Sequence, residues 1–297
     1  MTDACETKEI YGLLGRNISY SLSPAMHNAA FKHFKIPAEY KLFDVEPDKL
    51  KNFFQEKVFT GMVSGFNVTV PYKTEITKLL KSFHMYSISI GSFESVSGAV
   101  NTIKLQDKEL FLANTDGNGF YQSLKEDAKF TLKGKKVFIV GSGGAGRVIC
   151  LYLATLMDYA PDEIYIYDVD EEKTNETKAI YNRYQKQNIE LSKLICESDP
   201  GKIQKSDLVI NATPLGTKEG DAPPFDFKLF KKGMVVYDLV YARETELMKY
   251  AKQKGLIAVN GKGMLISQAA LSFNIWTGKP LEETKQVMKE AFECNTR

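Results

Sequence analysis

The most constraining feature of this sequence is a glycine-rich turn that lies between an apolar strand pattern and an apolar helix pattern. Residues 137–140 are continuously apolar, as in a strand buried on both faces, and Gly-Ser-Gly-Gly-Ala-Gly follows at 141–146. The next strand pattern, 163–167, ends on Asp168, which is 22 residues past Gly146. This order is typical of a Rossmann unit, in which a helix N-terminus binds a pyrophosphate and the acid binds the ribose hydroxyls of a dinucleotide. A glycine-rich turn without a ligand is the alternative, because the glycine spacing alone is weak evidence.

Strand and helix patterns alternate along the chain, which predicts an α/β fold with a largely parallel sheet before the glycine turn and a doubly wound sheet around it. With 297 residues, of which 43% are hydrophobic, the chain is long enough for two domains. Residues 106–108 are predicted to be the turn of a hairpin. The predicted strands lie at 10–15, 40–45, 65–70, 97–105, 109–113, 137–140, 163–167, within 207–216, and at 233–240 and 255–259.

The charge and cysteine content exclude several classes of protein. The chain has 39 Lys and Arg against 37 Asp and Glu and no basic block, which argues against nucleic-acid or membrane-surface binding. Cys5, Cys150, Cys196 and Cys294 form no metal-binding pattern with the three histidines, so we expect no metal and no disulfide. The sequence has neither a membrane-span pattern nor a signal peptide. We therefore expect a cytoplasmic protein with a small-molecule substrate, either a monomer or a homodimer.

Two serines lie at the start of the first helix pattern. Ser23 precedes Pro24, a residue that favours the first turn of a helix, so Ser23 is predicted to be the N-cap. Ser21 has no such role, and two hydroxyls beside a helix N-terminus could instead hold a carboxylate. His27 lies on the same helix pattern, and we interpret it as a partly buried structural histidine.

A lysine closes the stretch Gly-Phe-Asn-Val-Thr-Val-Pro-Tyr-Lys at 65–73. The alternation predicts a strand, Pro71 is placed to begin the next helix, and Lys73 then falls in the first turn of that helix. A cation there opposes the helix dipole unless an anion lies opposite, although a solvated surface lysine is the common case. Asp116, in Asn-Thr-Asp-Gly at 114–117, is either a helix N-cap or that missing anion.

Seven motifs occur in a fixed order along the chain. They are Ser-Leu-Ser-Pro at 21–24, Asn-Val-Thr-Val-Pro-Tyr-Lys at 67–73, Gly-Ala-Val-Asn-Thr at 98–102, Asn-Thr-Asp-Gly at 114–117, Gly-Ser-Gly-Gly-Ala-Gly at 141–146, Asn-Ala-Thr-Pro-Leu-Gly at 211–216 and Gly-Met-Leu-Ile-Ser-Gln at 263–268. This set resembles the shikimate dehydrogenase family. The resemblance implies an α/β substrate domain (1–116), a Rossmann-type nucleotide domain (117–260) and C-terminal helices that return to the first domain (261–297). It also implies the reversible nicotinamide-dependent reduction of 3-dehydroshikimate to shikimate in a cleft between the domains.

The resemblance also assigns roles to residues of this chain. Lys73 and Asp116 match the family's catalytic pair and also bind the substrate. Ser21 and Ser23 match the hydroxyls that hold the substrate carboxylate, with Tyr241 beside them. The residues that match those holding the ring hydroxyls or lining the same pocket are Asn67, Thr69, Asn101 and Gln268. The expected cofactor-binding residues are Gly141, Ser142, Gly143, Gly144, Ala145, Gly146, Asp168, Asn211, Ala212, Thr213, Leu239, Gly261, Gly263 and Met264.

The cofactor segment departs from the pattern of the NADP-preferring members. Those members place Asn-Arg-Ser/Thr after the second nucleotide strand, whereas this chain has Asp-Val-Asp at 168–170. A carboxylate repels the 2′-phosphate of NADP, so we expect NAD to be preferred and NADP to be possible. Lys173 could restore NADP use, although we expect it on an exposed helix beyond the turn. Thr217 replaces a methionine that many members have near the nicotinamide.

Substrate choice leaves alternatives open. Relatives that favour quinate often have threonine at the position of Ser23, so this serine favours shikimate, with dual shikimate and quinate specificity as the alternative. A regulatory sensor that binds a dinucleotide without turnover is less favoured, because it would be free to lose Lys73 and Asp116. A folate-pathway dehydrogenase of similar architecture finds no support in the motifs at 21–24 and 114–117.

Overall fold

The computed structural model describes residues 8–83, 87–187 and 190–296. Cys5, His84 and the N-terminal stretch without a signal-peptide pattern lie outside these described residues. The chain forms two compact units. The first contains the described residues up to Thr115 and those from Gln268 onward, and the second is Asp116–Ser267.

The first unit is built on a six-stranded sheet. Its strands are β1 (Glu9–Gly15), β2 (Ala38–Asp44), β3 (Gly65–Val68), β4 (Ser87–Ile90), β5 (Thr102–Gln106) and β6 (Glu109–Ala113), in the spatial order β2-β1-β3-β5-β6-β4. All run in one direction except β5, which pairs antiparallel with β3 and with β6. The largely parallel sheet and the hairpin between β5 and β6 are therefore confirmed.

Helices and a buried aromatic cluster complete the first unit. The alternating strand β3 packs Phe66 against Phe53 and Phe54, and all three rings are buried. The helices are α1 (Ser23–His33), α2 (Leu50–Phe53), α3 (Glu75–Lys81), α4 (Ser92–Ser97) and α10 (Leu281–Asn295), with a 3₁₀ turn at Pro47–Lys49 and a π-helical turn at Phe54–Val58.

The second unit has the Rossmann topology predicted by the glycine turn. Its elements are α5 (Asp116–Asp127), β7 (Lys136–Val140), α6 (Gly144–Ala154), β8 (Glu163–Tyr167), α7 (Glu171–Gln185), β9 (Lys193–Cys196), β10 (Leu208–Asn211), β11 (Val235–Asp238), α8 (Glu246–Gln253) and β12 (Ile257–Asn260), with 3₁₀ turns at Met157–Tyr159, Pro200–Lys205 and Phe227–Leu229. The six strands are parallel, in the order β12-β11-β10-β7-β8-β9. The strand order reverses between β7 and β10, where doubly wound sheets bind their ligands. A further helix, α9 (Lys262–Thr277), begins in this unit and continues in the first from Gln268.

Three local predictions need correction. Lys73 is not in the first turn of a helix, because residues 70–74 form a turn and α3 begins at Glu75. The carbonyl of Lys73 accepts a hydrogen bond from the backbone N–H of Val100, and this long-range bond replaces a helical one. Ser23 is the first residue of α1 rather than its N-cap. Asp116, weighed as an N-cap, itself lies in the first turn of α5.

Among the described residues, no helix combines the length and the apolar content that a bilayer crossing requires. In the same part of the chain, no group of three His, Cys, Asp or Glu side chains is arranged to hold a metal ion.

Candidate active site

One edge of the first sheet gathers most of the predicted substrate residues. β1 and β3 are adjacent and parallel, so the segments that follow them leave the sheet at the same edge. The loop after β1 carries Ser21 and Ser23, and the turn after β3 carries Thr69 and Lys73. A backbone hydrogen bond of 3.2 Å, from Arg16 N–H to the carbonyl of Val70, joins these two segments.

Asn101 lies at the same edge, because β5 runs antiparallel to β3 and begins where β3 ends. Its Nδ2 donates to Thr115 Oγ1 at 2.9 Å, and its Oδ1 accepts from the backbone N–H of Thr115 at 2.8 Å. Thr115 directly precedes Asp116. The amide of Asn101 therefore fixes the end of the segment that leads to the predicted catalytic acid.

The two serine hydroxyls lie together at the N-terminus of α1. Ser21 Oγ is 3.1 Å from Ser23 Oγ, and it also accepts a hydrogen bond from the backbone N–H of Ser23 at 3.2 Å. Ser21 is half-buried and Ser23 is buried. The first N–H groups of any α-helix lack partners inside the helix. This arrangement provides the hydroxyl pair and the positive helix end that a carboxylate needs.

The turn after β3 holds Lys73 and Thr69 through its backbone. Thr69 N–H donates to the carbonyl of Leu14 at 2.9 Å, and Lys73 accepts from Val100 N–H at 2.9 Å. A side chain at Gly15 would meet Thr69 Cγ2 at 2.5 Å, so this glycine permits the close approach of the two segments. Lys73 and Thr69 are both half-buried at this edge.

The other predicted substrate residues belong to different parts of the chain. Gln268, half-buried on α9, opens the C-terminal portion of the first unit. Asp116 is 4% exposed and lies in the second unit, as does Tyr241, which is half-buried after β11. Because Lys73 and Asp116 fall in different units, their pairing stays a prediction. Asn67 is 5% exposed, and its amide is enclosed by protein groups.

The glycine-rich turn after β7 has two packed glycines and two open ones. A side chain at Gly146 would lie 1.9 Å from the carbonyl oxygen of Gly141, whose own φ is +100°. A Cβ at Gly143 or Gly144 would meet no protein atom within 4 Å. The open glycines lie at the N-terminus of α6, where backbone N–H groups and the helix dipole favour a phosphate. The turn therefore fits a dinucleotide pyrophosphate.

Asp168 follows β8 and holds this turn. Its Oδ2 accepts a hydrogen bond from Ser142 N–H at 2.7 Å, and its Oδ1 accepts from Asp170 N–H at 3.0 Å. Lys173 Nζ is 4.0 Å from Asp168 Oδ1 and 3.6 Å from Asp170 Oδ2. Lys173 lies exposed on α7, as predicted, and the first turn of that helix brings its ammonium back to the two carboxylates.

Two predicted cofactor residues use their side chains inside the protein. Ser142 Oγ donates to the carbonyl of Lys173 at 3.0 Å. Asn211 is fully buried, with Nδ2 donating to Asp238 Oδ1 at 3.0 Å and Oδ1 accepting from Thr213 Oγ1 at 2.7 Å. These side chains shape the turns after β7 and β10. Any contact of Ser142 or Asn211 with a dinucleotide would therefore be made by backbone atoms.

The other predicted cofactor residues follow β10, β11 and β12. They therefore lie at the same edge of the sheet as the glycine-rich turn. A Cβ at Gly141 would lie 2.9 Å from the backbone of Ala212, beside Thr213. A Cβ at Gly261 would lie 2.1 Å from the carbonyl oxygen of Leu239.

Two further predicted cofactor residues lie in the first turn of α9. Gly263 packs on α5, where a Cβ would clash with Asp127, so packing explains this glycine. Met264, the next residue, is buried.

Comparison with known proteins decides the family. Two family models match: the shikimate dehydrogenase substrate binding domain over residues 13–103 and the shikimate 5′-dehydrogenase C-terminal domain over residues 261–291. The chain is 34% identical to the shikimate dehydrogenase (NADP(+)) of Methanopyrus kandleri over 291 residues, which cover 95% of this chain and 94% of that relative. The chain belongs to the shikimate dehydrogenase family. It is a nicotinamide-dependent oxidoreductase.

Solved structures of the shikimate dehydrogenase family and its neighbours share the whole fold. A shikimate 5-dehydrogenase from Listeria monocytogenes, in complex with shikimate and NAD, is 30% identical with a TM-score of 0.82, covering 97% of this chain and 99% of that one. A quinate dehydrogenase from Corynebacterium glutamicum, in complex with NAD, is 25% identical with the same TM-score and coverage. The fold class predicted from the sequence is confirmed, with a substrate domain and a Rossmann-type domain.

Several polar residues around this shikimate dehydrogenase site were missed by the sequence analysis. Tyr40, Thr102, Thr115 and Ser272 are buried or nearly so, and they hydrogen-bond to the predicted residues Asn67 and Asn101. Thr102 and Thr115 lie inside quoted motifs, and their position beside Asn101 and Asp116 was the available signal. Tyr40 and Ser272 lie within ordinary strand and helix patterns, which carry no such signal.

Proposed function

We propose that this chain catalyses the reversible reduction of 3-dehydroshikimate to shikimate with a nicotinamide dinucleotide. The observation that carries the proposal is the sheet edge that gathers the serine pair, the Lys73 turn and Asn101. An acid with ring hydroxyls needs an anion cradle, hydrogen-bonding groups and a proton donor, and this edge offers all three. The similarity to a shikimate dehydrogenase over 95% of this chain supports the same assignment.

The serine pair holds the substrate carboxylate in this proposal. Ser21 and Ser23 donate their hydroxyl hydrogens to the carboxylate oxygens, with Tyr241 contributing from the second unit. Asn101, Thr69 and Gln268 hold the ring hydroxyls. The half-buried positions of Ser21, Thr69 and Gln268 leave part of each residue accessible to a ligand.

Lys73 and Asp116 supply the acid–base chemistry. A bound dinucleotide supplies or accepts the hydride at the carbon that carries the reacting oxygen. As the ketone is reduced, its oxygen gains negative charge, and Lys73 delivers a proton to that oxygen or stabilises the charge. Asp116 orients the ammonium and, in the oxidative direction, favours its return to the charged state.

The dinucleotide belongs to the second unit in this proposal. Its pyrophosphate lies on residues 143–146, and its ribose hydroxyls bind Asp168. Ala212, Thr213, Leu239, Gly261 and Met264 contribute the nicotinamide side. We take residues 1–116 as the substrate domain, 117–260 as the nucleotide domain and 261–297 as the returning helices. The change of compact unit after Thr115 supports the first boundary.

NAD is the preferred dinucleotide in this proposal. Asp168 and Asp170 place two carboxylates where a 2′-phosphate would enter, and Glu171 and Glu172 follow in the first turn of α7. Lys173 is the cation that faces them, and its ammonium is already shared between Asp168 and Asp170. The net charge of this segment therefore disfavours a phosphate. Relatives named for NADP(+) keep NADP as the second possibility.

Dual specificity for quinate is the second candidate. The quinate dehydrogenase from Corynebacterium glutamicum shares the fold over nearly the whole chain, and this similarity supports the second candidate. Ser23 favours shikimate, because the family members that prefer quinate often carry threonine there. We further propose a cytoplasmic monomer or homodimer. The free state of the described cysteines, Cys150, Cys196 and Cys294, suits a reducing compartment.

One assay tests the proposal. Absorbance at the nicotinamide band is followed with shikimate and with quinate, each against NAD and NADP. We expect the highest kcat/KM for shikimate with NAD. Equal kcat/KM values for quinate and shikimate would favour the second candidate, a clear NADP preference would refute the cofactor assignment, and no turnover with any pair would refute the activity.

A further inference from the structure

The side-chain amide of Asn67 lies in a buried polar junction. Asn67 is on β3, and its Nδ2 lies 2.8 Å from Ser272 Oγ, 3.1 Å from Thr102 Oγ1 and 3.1 Å from the carbonyl oxygen of Asn101. Its Oδ1 accepts from Tyr40 Oη at 2.9 Å. The amide has two N–H donors, and three protein acceptors already face them. Asn67 therefore has no donor left for a ligand.

The surrounding groups fix which way the amide points. The carbonyl of Asn101 is an acceptor, so the amide nitrogen must face it and the amide oxygen must face Tyr40. Tyr40 consequently donates its hydroxyl hydrogen to Asn67.

Tyr40 is held in place on all sides. Its backbone N–H donates to Asn28 Oδ1 at 2.8 Å, and its carbonyl accepts from Asn28 Nδ2 at 3.0 Å, which ties β2 to α1. Its ring stacks on His27 and contacts Trp276. Tyr40 therefore links Asn67 to α1, the helix that begins at Ser23.

Ser272 forms the opposite side of the junction. Its Oγ donates to the carbonyl of Gln268 at 2.9 Å and lies 2.8 Å from Thr102 Oγ1 and 3.2 Å from Thr115 Oγ1. Asn67 thus connects to the elements that carry Ser23, Asn101 and Gln268. Each of these three residues is a substrate contact in the proposed function.

We propose that Asn67, held between Tyr40 and Ser272, is a positioning residue that sets three substrate-binding elements relative to one another and does not touch the substrate. The resemblance to the family implies that Asn67 holds a ring hydroxyl or lines the pocket. Both N–H donors of its amide already face protein acceptors, however, and this favours a place behind the pocket. Tyr40 and Ser272 join it in that role. The inference rests on the proposed function, because the elements it positions are those that bind shikimate there.

The first test removes one atom from each side of the junction. In Tyr40→Phe and Ser272→Ala, we expect kcat/KM for shikimate to fall roughly tenfold each, the change that one lost hydrogen bond of about 1.4 kcal/mol produces. Both kcat and KM should change, because misplaced elements alter the geometry as well as the affinity. The double variant should lose less than the product of the single losses, because both residues hold the same amide. Dinucleotide affinity should stay within about twofold of the wild type.

A matched control is available in the same unit. Tyr11 is also a buried tyrosine that contacts Trp276, but its hydroxyl donates to Glu9 at 2.7 Å, away from the junction. Tyr11→Phe should therefore keep the wild-type kcat/KM. If the wild type turns over shikimate and Tyr40→Phe keeps the same kcat/KM as Tyr11→Phe, the inference is overturned while the proposed function stands. A wild-type chain without turnover overturns the proposed function first.

The second test separates positioning from direct contact. Asn67→Ala is assayed with shikimate analogues that keep the hydroxyl that is oxidised and each lack one of the other ring hydroxyls. A positioning role predicts the same proportional loss for every analogue, whereas a direct contact predicts that the loss disappears for the analogue without the contacted hydroxyl. That second result would overturn the inference. Thermal unfolding checks that the variants are folded, and Tyr40→Phe and Ser272→Ala carry the same comparison if Asn67→Ala does not fold.

Discussion

His27 and Tyr40 stack face to face, with ring centroids 4.2 Å apart and planes inclined by only 5°. His27 is fully buried, and among the described residues neither of its ring nitrogens has a hydrogen-bond partner. Burial lowers the pKa of His27 from 6.5 to about 3, because the charged imidazolium would lose its hydration. The prediction of a partly buried structural histidine therefore understated its burial.

We expect the folded chain to lose stability as the pH falls below 6.5, because His27 then binds a proton in the unfolded chain but not in the folded one. Between pH 7 and pH 5 this group alone should cost about 2 kcal/mol of the free energy of unfolding, at about 1.4 kcal/mol per pH unit below the unfolded pKa. His27→Phe keeps a ring in the stack and removes the proton site. Urea unfolding at the two pH values should therefore show a loss about 2 kcal/mol smaller in the variant.

Phe31 provides the control for this measurement. It is a buried ring on the same helix and has no proton site, so Phe31→Leu should keep the wild-type dependence on pH although it changes the packing. Carboxylates of lowered pKa such as Asp44 and Glu163 are present in every variant, and their contribution cancels in the difference. A His27→Phe variant that loses as much stability as the wild type would contradict the assignment.

Lys73→Ala should lower kcat by roughly 10³-fold while KM for shikimate changes little. The proposed role of Lys73 is to deliver a proton to an oxygen whose charge develops only during the reaction, so its loss affects the transition state more than the bound substrate. Steady-state kinetics with NAD measures both quantities. Lys78→Ala, an exposed lysine on α3, is the matched control and should keep wild-type kinetics. Near-normal turnover of Lys73→Ala would remove the lysine from the mechanism.

The double change Asp168→Asn with Val169→Arg should shift the ratio of kcat/KM for NADP over NAD upward by at least about tenfold. Val169 is 89% exposed, so an arginine there adds a phosphate-binding cation without disturbing the core. Asparagine at position 168 keeps an oxygen that can accept from Ser142 N–H, and the glycine turn should keep its shape. The ratio is measured with shikimate saturating.

Val169→Gln in the Asp168→Asn background tests whether charge carries the cofactor effect. This control adds length without charge and should shift the ratio much less. An unchanged ratio in the arginine variant would show that these two residues do not select the dinucleotide.

The second unit could be predicted closely because its signals are local. The continuous apolar runs indicate the buried parallel strands, and the spacing from Gly146 to Asp168 indicates the first βαβ element. The order of the five predicted strands then follows from the standard topology of doubly wound sheets, whereas the short edge strand β9 was not predicted. At Lys73 a local signal misled, because Pro71 favours a helix start while the long-range bond from Val100 holds the segment as a turn.

Long-range partners account for what the sequence could not indicate. Tyr40 bonds to Asn67 across 27 positions, and Ser272 bonds to Asn67 across 205. Neither Tyr40 on a strand nor Ser272 on a helix breaks a local rule, so no pattern singles them out. The serine pair shows the intermediate case. The motif predicted a site at Ser21 and Ser23, but which of the two accepts the backbone N–H bond was visible only in the fold.

The glycine turn offers a comparison between two alanine substitutions, of which only one should destabilise the fold strongly. A Cβ at Gly146 would lie 1.9 Å from the carbonyl oxygen of Gly141, so the backbone of β7 or α6 must shift. Gly146→Ala should therefore lower the free energy of unfolding by about 3 kcal/mol. Gly143 has φ −73° and open space around its Cβ position, so Gly143→Ala should change that free energy by no more than about 1 kcal/mol.

Dinucleotide affinity should respond to Gly143→Ala even though the fold does not. A methyl group on the open side of the turn would occupy the approach of the pyrophosphate to the backbone N–H groups of α6. We expect the Kd for NAD to rise about tenfold or more in calorimetric titration, with shikimate binding unchanged. Urea unfolding of the same preparation confirms that the fold is intact. If Gly143→Ala binds NAD as the wild type does, the pyrophosphate lies elsewhere, and the open side of this turn is not its binding surface.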